Sequence, residues 1–162
     1  CLIYQNKNVN LIINLQGDMP NIKPNCISKL EKLMKENVCD IGTLASNITD
    51  TKEIDNPNIV KVYIDKLFQE DNFLDAKDFF RTKKDENNEK IYHHCGVYIF
   101  TKDALSRYVK LSRSKLEIER NLEQMRAMEN NMVVKVGMSH SMPLSVDTEE
   151  DLRKIKKEME KI

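Results

Sequence analysis

Short apolar runs alternate along this chain with stretches whose apolar residues return at helical spacing, and that alternation limits the fold more than any other feature. The first run, Val9 to Leu15, is rich in Ile and Leu, broken only by Asn10 and Asn14, and stopped by Gln16-Gly17-Asp18. It reads as a buried strand, parallel to its neighbours. Pro20 and Pro24 mark a turn into a helix with Ile27, Leu30, Leu33 and Met34 on one face. Ile41 to Ile48 and Ile59 to Ile64 are further strand segments, the second following the Asn56-Pro57-Asn58 turn. Phe73 to Phe80 fits strand and helix equally, and residues 81–90, with no apolar residue, read as a solvated loop.

Tyr92 to Phe100 forms another strand segment, followed from about Asp103 by a helix burying Leu105, Tyr108 and Val109. Ser114 and Glu117 make a capping-box pattern that opens a helix burying Ile118, Leu122 and Met125. Met132 to Val136 reads as a short strand, and Asp147 or Thr148 caps a last helix with Leu152, Ile155, Met159 and Ile162 on one face. Strands alternating with helices predict an α/β fold with a largely parallel sheet. At 162 residues the chain makes one domain over 1–162.

Lys plus Arg and Asp plus Glu are equal at 26 each, which argues against nucleic acid or an acidic membrane as the main partner. No apolar run reaches the roughly 18 residues that cross a bilayer. Cys1, Cys26, Cys39 and Cys95 have neither CxxC nor zinc spacing, so reduced thiols in a cytoplasmic protein are expected. Gly17, Gly42, Gly96 and Gly137 stand apart from one another, which leaves no Walker loop and no GxGxxG cradle. The opening CLIYQNKN has no initiating Met and no leader pattern, and reads as the middle of an element.

Asp18 ends the first strand segment beside Gln16 and could hold Mg²⁺, a hard cation that takes oxygen ligands, although Gly17-Asp18 taken alone reads first as a plain turn. Asp147 is placed to cap the last helix, and one of its oxygens could face a metal while the other caps. Strand alternation sends His93 and His94 to opposite faces and puts residues 94, 96 and 98 on one side, with Gly96 leaving room for a ligand. His140, between two serines, reads as a loop residue.

The segments INLQGDMP (13–20), GTLA (42–45), NPNIVKV (56–62), HCGVYIF (94–100), RYVKLSRSKLE (107–117), LEQMRAMEN (122–130) and LSVDTEEDL (144–152) occur in an order and spacing that resemble the CMP-Kdo synthetases, the 3-deoxy-manno-octulosonate cytidylyltransferases. The resemblance covers the C-terminal two-thirds of such an enzyme. It implies a Rossmann-like nucleotidyltransferase fold with a largely parallel mixed sheet, here without the family's N-terminal strand and its Ser-x-Arg-Leu-Pro-Gly-Lys-Pro nucleotide loop. The implied reaction joins the anomeric 2-hydroxyl of Kdo to the α-phosphorus of CTP, giving CMP-Kdo and pyrophosphate for lipopolysaccharide synthesis. By the same resemblance Asp18 and Asp147 are the catalytic Mg²⁺ carboxylates and Gln16 sits by the nucleotide or sugar. Arg81, His94, Tyr98, Glu123 and Gln124 surround the Kdo hydroxyls and carboxylate, with His94 rather than His93 facing the sugar.

Three departures stand out: Met19 where an acid is common, Arg120 where Glu is frequent, and TKKDENNEK after Arg81 in place of an Ile-Pro segment. Two other readings stay open, a cytidylyltransferase for another acidic sugar and a non-catalytic remnant or binding module. CTP and Kdo are the expected small-molecule substrates. A homodimer and a separate N-terminal segment remain open as partners. Without the nucleotide loop, this stretch alone is expected to make no CMP-Kdo.

Overall fold

In the computed structural model, which describes residues 8–69, 71–82, 90–141, 143–146 and 148–160, the first apolar run becomes strand β1 (Leu11–Asn14). Helix α1 (Pro24–Glu36) follows, opened by a proline whose missing N–H costs no bond in the first turn. Next come β2 (Ile41–Ser46), the short helix α2 (Lys52–Asp55), and the strands β3 (Lys61–Tyr63), β4 (Phe73–Asp75), β5 (Asp78–Phe80) and β6 (Ile91–Thr101). Helices α3 (Lys102–Tyr108), α4 (Lys115–Arg120) and α5 (Gln124–Glu129) lead to β7 (Val134–Met138), and α6 (Glu149–Met159) is the last element described.

The fold is α/β with a mixed seven-stranded sheet, β4-β7-β2-β6-β3-β5, and β1 pairs with β6 off this path. The balance of directions differs from the expectation. Among the described residues only β2 and β7 pair in parallel; every other pairing is antiparallel. The strands β1, β2, β3 and β7 do run the same way, as strand–helix alternation demands, but β6 inserts in the reverse sense between β2 on one side and β1 and β3 on the other. β1 is correspondingly not a buried parallel strand: Ile13 and Leu15 are 44% and 48% exposed.

Phe73–Phe80 resolves into two strands on opposite edges. Ala76 N–H donates to Val134 O and Lys77 N–H to Tyr63 O, each at 2.9 Å, so this link draws the two sheet edges together at one end. Of the loop expected over 81–90, residues 83–89 lie outside the described residues.

One face of the sheet packs on α1, where Leu30, Leu33 and Met34 meet Leu44, Cys95, Val97 and Ile99. The helix lies close because β2 and β7 carry glycine beneath it: a Cβ on Gly42 would stand 2.5 Å from Met34 Sδ, and one on Gly137 2.6 Å from Leu33 Cδ1. The other face, including Ile41, Val62, Phe79 and Tyr92, packs on Ala104, Leu122 and Met125 from the α3–α5 side.

The Ser114–Glu117 capping box forms, but α4 stops after six residues at Asn121, whose φ of 53° is left-handed. The stop turns Ile118 out to 60% exposure instead of burying it, and Val109, just past α3, is 49% exposed. Glu117 is buried in their place. Arg126 grips it through two nitrogens, Arg113 and the Ser114 N–H add to the hold, and these donors, Arg126 foremost, pull its carboxyl down to about 2. Thr148 caps α6 in a reciprocal box with Asp151; Ile155 is buried and Met159 is 49% exposed. Asp147 and Ile162 lie outside the described residues.

Candidate active site

β1 and β3 pair along the same side of β6, β1 with Tyr98–Thr101 and β3 with Ile91–His93, so the stretch between them faces no strand there. On the other side the register jumps: Thr43 pairs with Tyr98 and Leu44 with Cys95, leaving Gly96 and Val97 as a bulge in β6. Thr43 sits inside that bulge, with its Oγ1 3.0 Å from Cys95 O, 2.8 Å from Val97 O and 2.9 Å from the His94 Nε2. The hydroxyl has one proton and the carbonyls can only accept. The proton goes to a carbonyl, and His94 donates its Nε2–H to Oγ1. His94 is therefore a neutral ring with its lone pair on Nδ1. Burial pushes its pKa down to about 3, with His93 beside it adding to the shift.

A cavity of about 1480 Å³ opens at this break in the sheet. Gln16 and Asp18 reach it from the turn after β1, and Arg81 from the end of β5. His94 and Tyr98 line it from β6, and Glu123 and Gln124 from the start of α5. All of the site residues expected from the sequence that fall among the described residues thus line one cavity. Several present polar atoms with no partner among the described residues. Asp18 Oδ1 is buried and has none there. The Tyr98 hydroxyl and the amide of Gln124, a residue only 8% exposed, make no hydrogen bond among the described residues. Burial also raises the Tyr98 hydroxyl, so it stays a donor. Buried polar groups without partners are rare in folded proteins, and the Asp18 oxygen marks a point of this cavity where a ligand's donor or a cation would be met.

Asp18 is tied to the segment before α6. Its main-chain oxygen accepts from Val146 N–H at 2.9 Å and its Oδ2 from Ser145 Oγ at 3.3 Å. The chain neighbour of Val146 is Asp147, so the expected carboxylate pairing falls on a residue outside the described ones. Among the described residues no three His, Cys, Asp or Glu side chains converge. Mg²⁺ needs no such cluster, because it is commonly held by one or two carboxylates and completed by phosphate and water. The partnerless Asp18 oxygen fits that donor set. Met19 lines the same cavity while largely buried, its Sδ 4.0 Å from Cys95 Sγ, and Arg120 is engaged with Asp78 and the Phe79 carbonyl.

Two features went unseen in the sequence. Lys61 is fully buried and spends its three protons on the carbonyls of Asn56, Ile59 and Arg81, knitting the 56–59 loop to the end of β5. Burial lowers its pKa. Arg81 returns to the same loop, donating from Nη1 to Pro57 O at 3.2 Å and Asn58 O at 3.1 Å. A lysine flanked by Val60 and Val62 in a strand pattern was the one signal available. The second is His93, which alternation sends away from the cavity. It lines the cavity as well, because the space continues past the end of β2 to α2, where Glu53 meets the ring.

A family model described as Cytidylyltransferase matches residues 2–158. The 3-deoxy-manno-octulosonate cytidylyltransferase of Bartonella bacilliformis is 41% identical over 148 residues, covering 91% of this chain and 60% of that protein. Its counterpart in Agrobacterium fabrum is 40% identical over 146 residues, 90% of this chain and 57% of that protein. The chain thus spans about 60% of the length of the curated relatives it matches. A solved CMP:2-keto-3-deoxy-manno-octonic acid synthetase in complex with CTP superposes with a TM-score of 0.85 at 26% identity, over 99% of this chain and 66% of that one. The inositol-1-phosphate CTP transferase of T. maritima shares the fold, at a TM-score of 0.59 and 18% identity.

Proposed function

This chain belongs to the cytidylyltransferase family, and from that footing we propose that it forms the sugar-binding and metal-holding part of an enzyme that transfers CMP from CTP to Kdo. The supporting observation is the cavity that Asp18, whose buried Oδ1 has no partner among the described residues, lines together with Arg81, His94, Tyr98 and Gln124. In the transfer, the Kdo 2-hydroxyl oxygen bonds to the α-phosphorus, the bond from that phosphorus to the bridging oxygen breaks, pyrophosphate leaves, and the hydroxyl proton passes to solvent.

Asp18 and Asp147 would hold Mg²⁺, which when bound neutralises phosphate charge and lowers the pKa of the attacking hydroxyl. The chain's own groups then orient the sugar. The Arg81 guanidinium, pinned at Nη1 by two loop carbonyls, suits a planar carboxylate. The Tyr98 hydroxyl, kept protonated by burial, donates, and the neutral His94 accepts through Nδ1. Gln124 can do either. The setting we propose is the cytoplasm and the product's use lipopolysaccharide synthesis; the described cysteines, Cys26, Cys39 and Cys95, are free thiols, as a reducing compartment keeps them.

Pyrophosphate release with CTP, Kdo and Mg²⁺ tests the reading, using this chain alone and supplied with the part of a Bartonella relative that lies outside the matched stretch. Where turnover is seen, Asp18→Asn should lower it about a hundredfold or more while the melting curve stays cooperative. Full activity of the Asn variant in Mg²⁺ would mean that Gly17-Asp18 is only a turn.

A further inference from the structure

His93 and Glu53 face the same cavity, yet neither has a part in the transfer as described above. The His93 Nδ1 lies 2.9 Å from Glu53 Oε2. A carboxylate oxygen only accepts, so Nδ1 carries the proton and the neutral ring keeps a bare lone pair on Nε2. That second nitrogen has no partner among the described residues. The two side chains are 21% and 24% exposed, a partial shelter that suits neither a free surface pair nor a sealed core contact. On β6 the residue stands opposite Lys61 of β3 and Ser46 of β2.

We propose that His93, locked in one tautomer by Glu53, is a further binding residue of this cavity and accepts a hydrogen bond from a substrate hydroxyl through Nε2. The inference rests on the sugar reading and narrows it, since the ligand must offer a hydroxyl donor to the wall between β6 and α2. The charges around the ring support the acceptor role. Burial lowers its pKa, the Lys61 ammonium adds to that, Glu53 opposes it, and His94 beside it is neutral. The net shift is downward, so Nε2 is unprotonated at neutral pH.

The test is nitrogen-15 NMR of the imidazoles together with calorimetric titration of the chain with Kdo. Kdo should move the His93 Nε2 resonance. His93→Asn keeps a polar group near Glu53 but removes the acceptor, and should weaken Kdo binding about threefold to tenfold, one neutral hydrogen bond. His93→Gln, which places an amide oxygen near the lost nitrogen, should recover most of it. Glu53→Gln, which leaves the ring but frees its tautomer, should weaken binding in the same direction and serves if the Asn variant does not fold. Should Kdo move Tyr98 and Gln124 signals while His93 and the variant affinities stay unchanged, this inference fails and the sugar reading stands. Should Kdo move no cavity signal at all, both fall.

Discussion

At His94 a threonine hydroxyl, the Phe79 ring at 5.0 Å and the Tyr98 ring at 5.5 Å surround a base whose ordinary pKa is 6.5. In the folded state that value falls to about 3. Between the two, the unfolded chain binds a proton that the folded one refuses, so stability is complete above about pH 6.5 and drains away as pH falls toward 3. His93, shifted the same way, adds to the slope. His94→Gln can keep the donor to Thr43 and does not titrate. Its melting temperature should therefore fall less steeply than wild type between about pH 7 and about pH 5. Parallel slopes would show that His94 is protonated in the folded state. Most of this wall was legible in the sequence, because Gln16, Asp18, Tyr98, Glu123 and Gln124 sit in motifs that keep their order. His93 was not, since alternation says which face a side chain takes but not how far a cavity extends around a strand's end. Lys61 was hidden because a buried lysine satisfied by carbonyls leaves no partner to find in the sequence.

Elements were legible where one physical cause sets them. The α1 periodicity, the Ser114 capping box and the Thr148 cap are local, and each formed. Strand direction is not local. The apolar pattern of Val9–Leu15 is the same whichever way its neighbour runs, and the antiparallel entry of β6 depends on contacts far along the chain. Close helix–sheet approach is likewise visible only in three dimensions, and Gly42 measures it. A Cβ there would meet Met34 Sδ at 2.5 Å and Phe73 Cζ at 2.9 Å, while one on Gly17 would meet nothing within 4 Å. Both residues gain about 0.4–1 kcal/mol on mutation to Ala through the unfolded chain. Overpacking costs about 1–3 kcal/mol and applies only at position 42. Gly42→Ala should destabilise and Gly17→Ala should be neutral or slightly stabilising in urea melts. Equal stabilities would mean that α1 shifts freely over the sheet.

Over the whole molecule, a sheet packed on both faces carries a cavity wall that is attached by fewer ties. The segment from Asn47 to Val60 lines the cavity beyond β2, and its described ties to the sheet include the Glu53–His93 contact, the Arg81 bonds and the Lys61 ammonium. Lys61 matters most because it is fully buried and joins two loop carbonyls to the Arg81 carbonyl through one atom. Lys61→Met keeps the length and the packing but takes the donor from three carbonyls in a partly buried place, each at up to about 1–3 kcal/mol where water does not replace it. The segment can escape that cost by opening into solvent, whereas β2, bonded to both β6 and β7, cannot open without losing the core. Hydrogen exchange of Lys61→Met should therefore quicken at Ile59 and its loop neighbours, and leave the β2 and β6 amides near their wild-type protection. Loss of protection shared evenly by β6 would show that Lys61 supports the core itself. Unchanged exchange at Ile59 would show that the loop holds without it. The localised result would make Lys61 the residue that keeps the cavity wall, and with it Arg81, closed against the sheet.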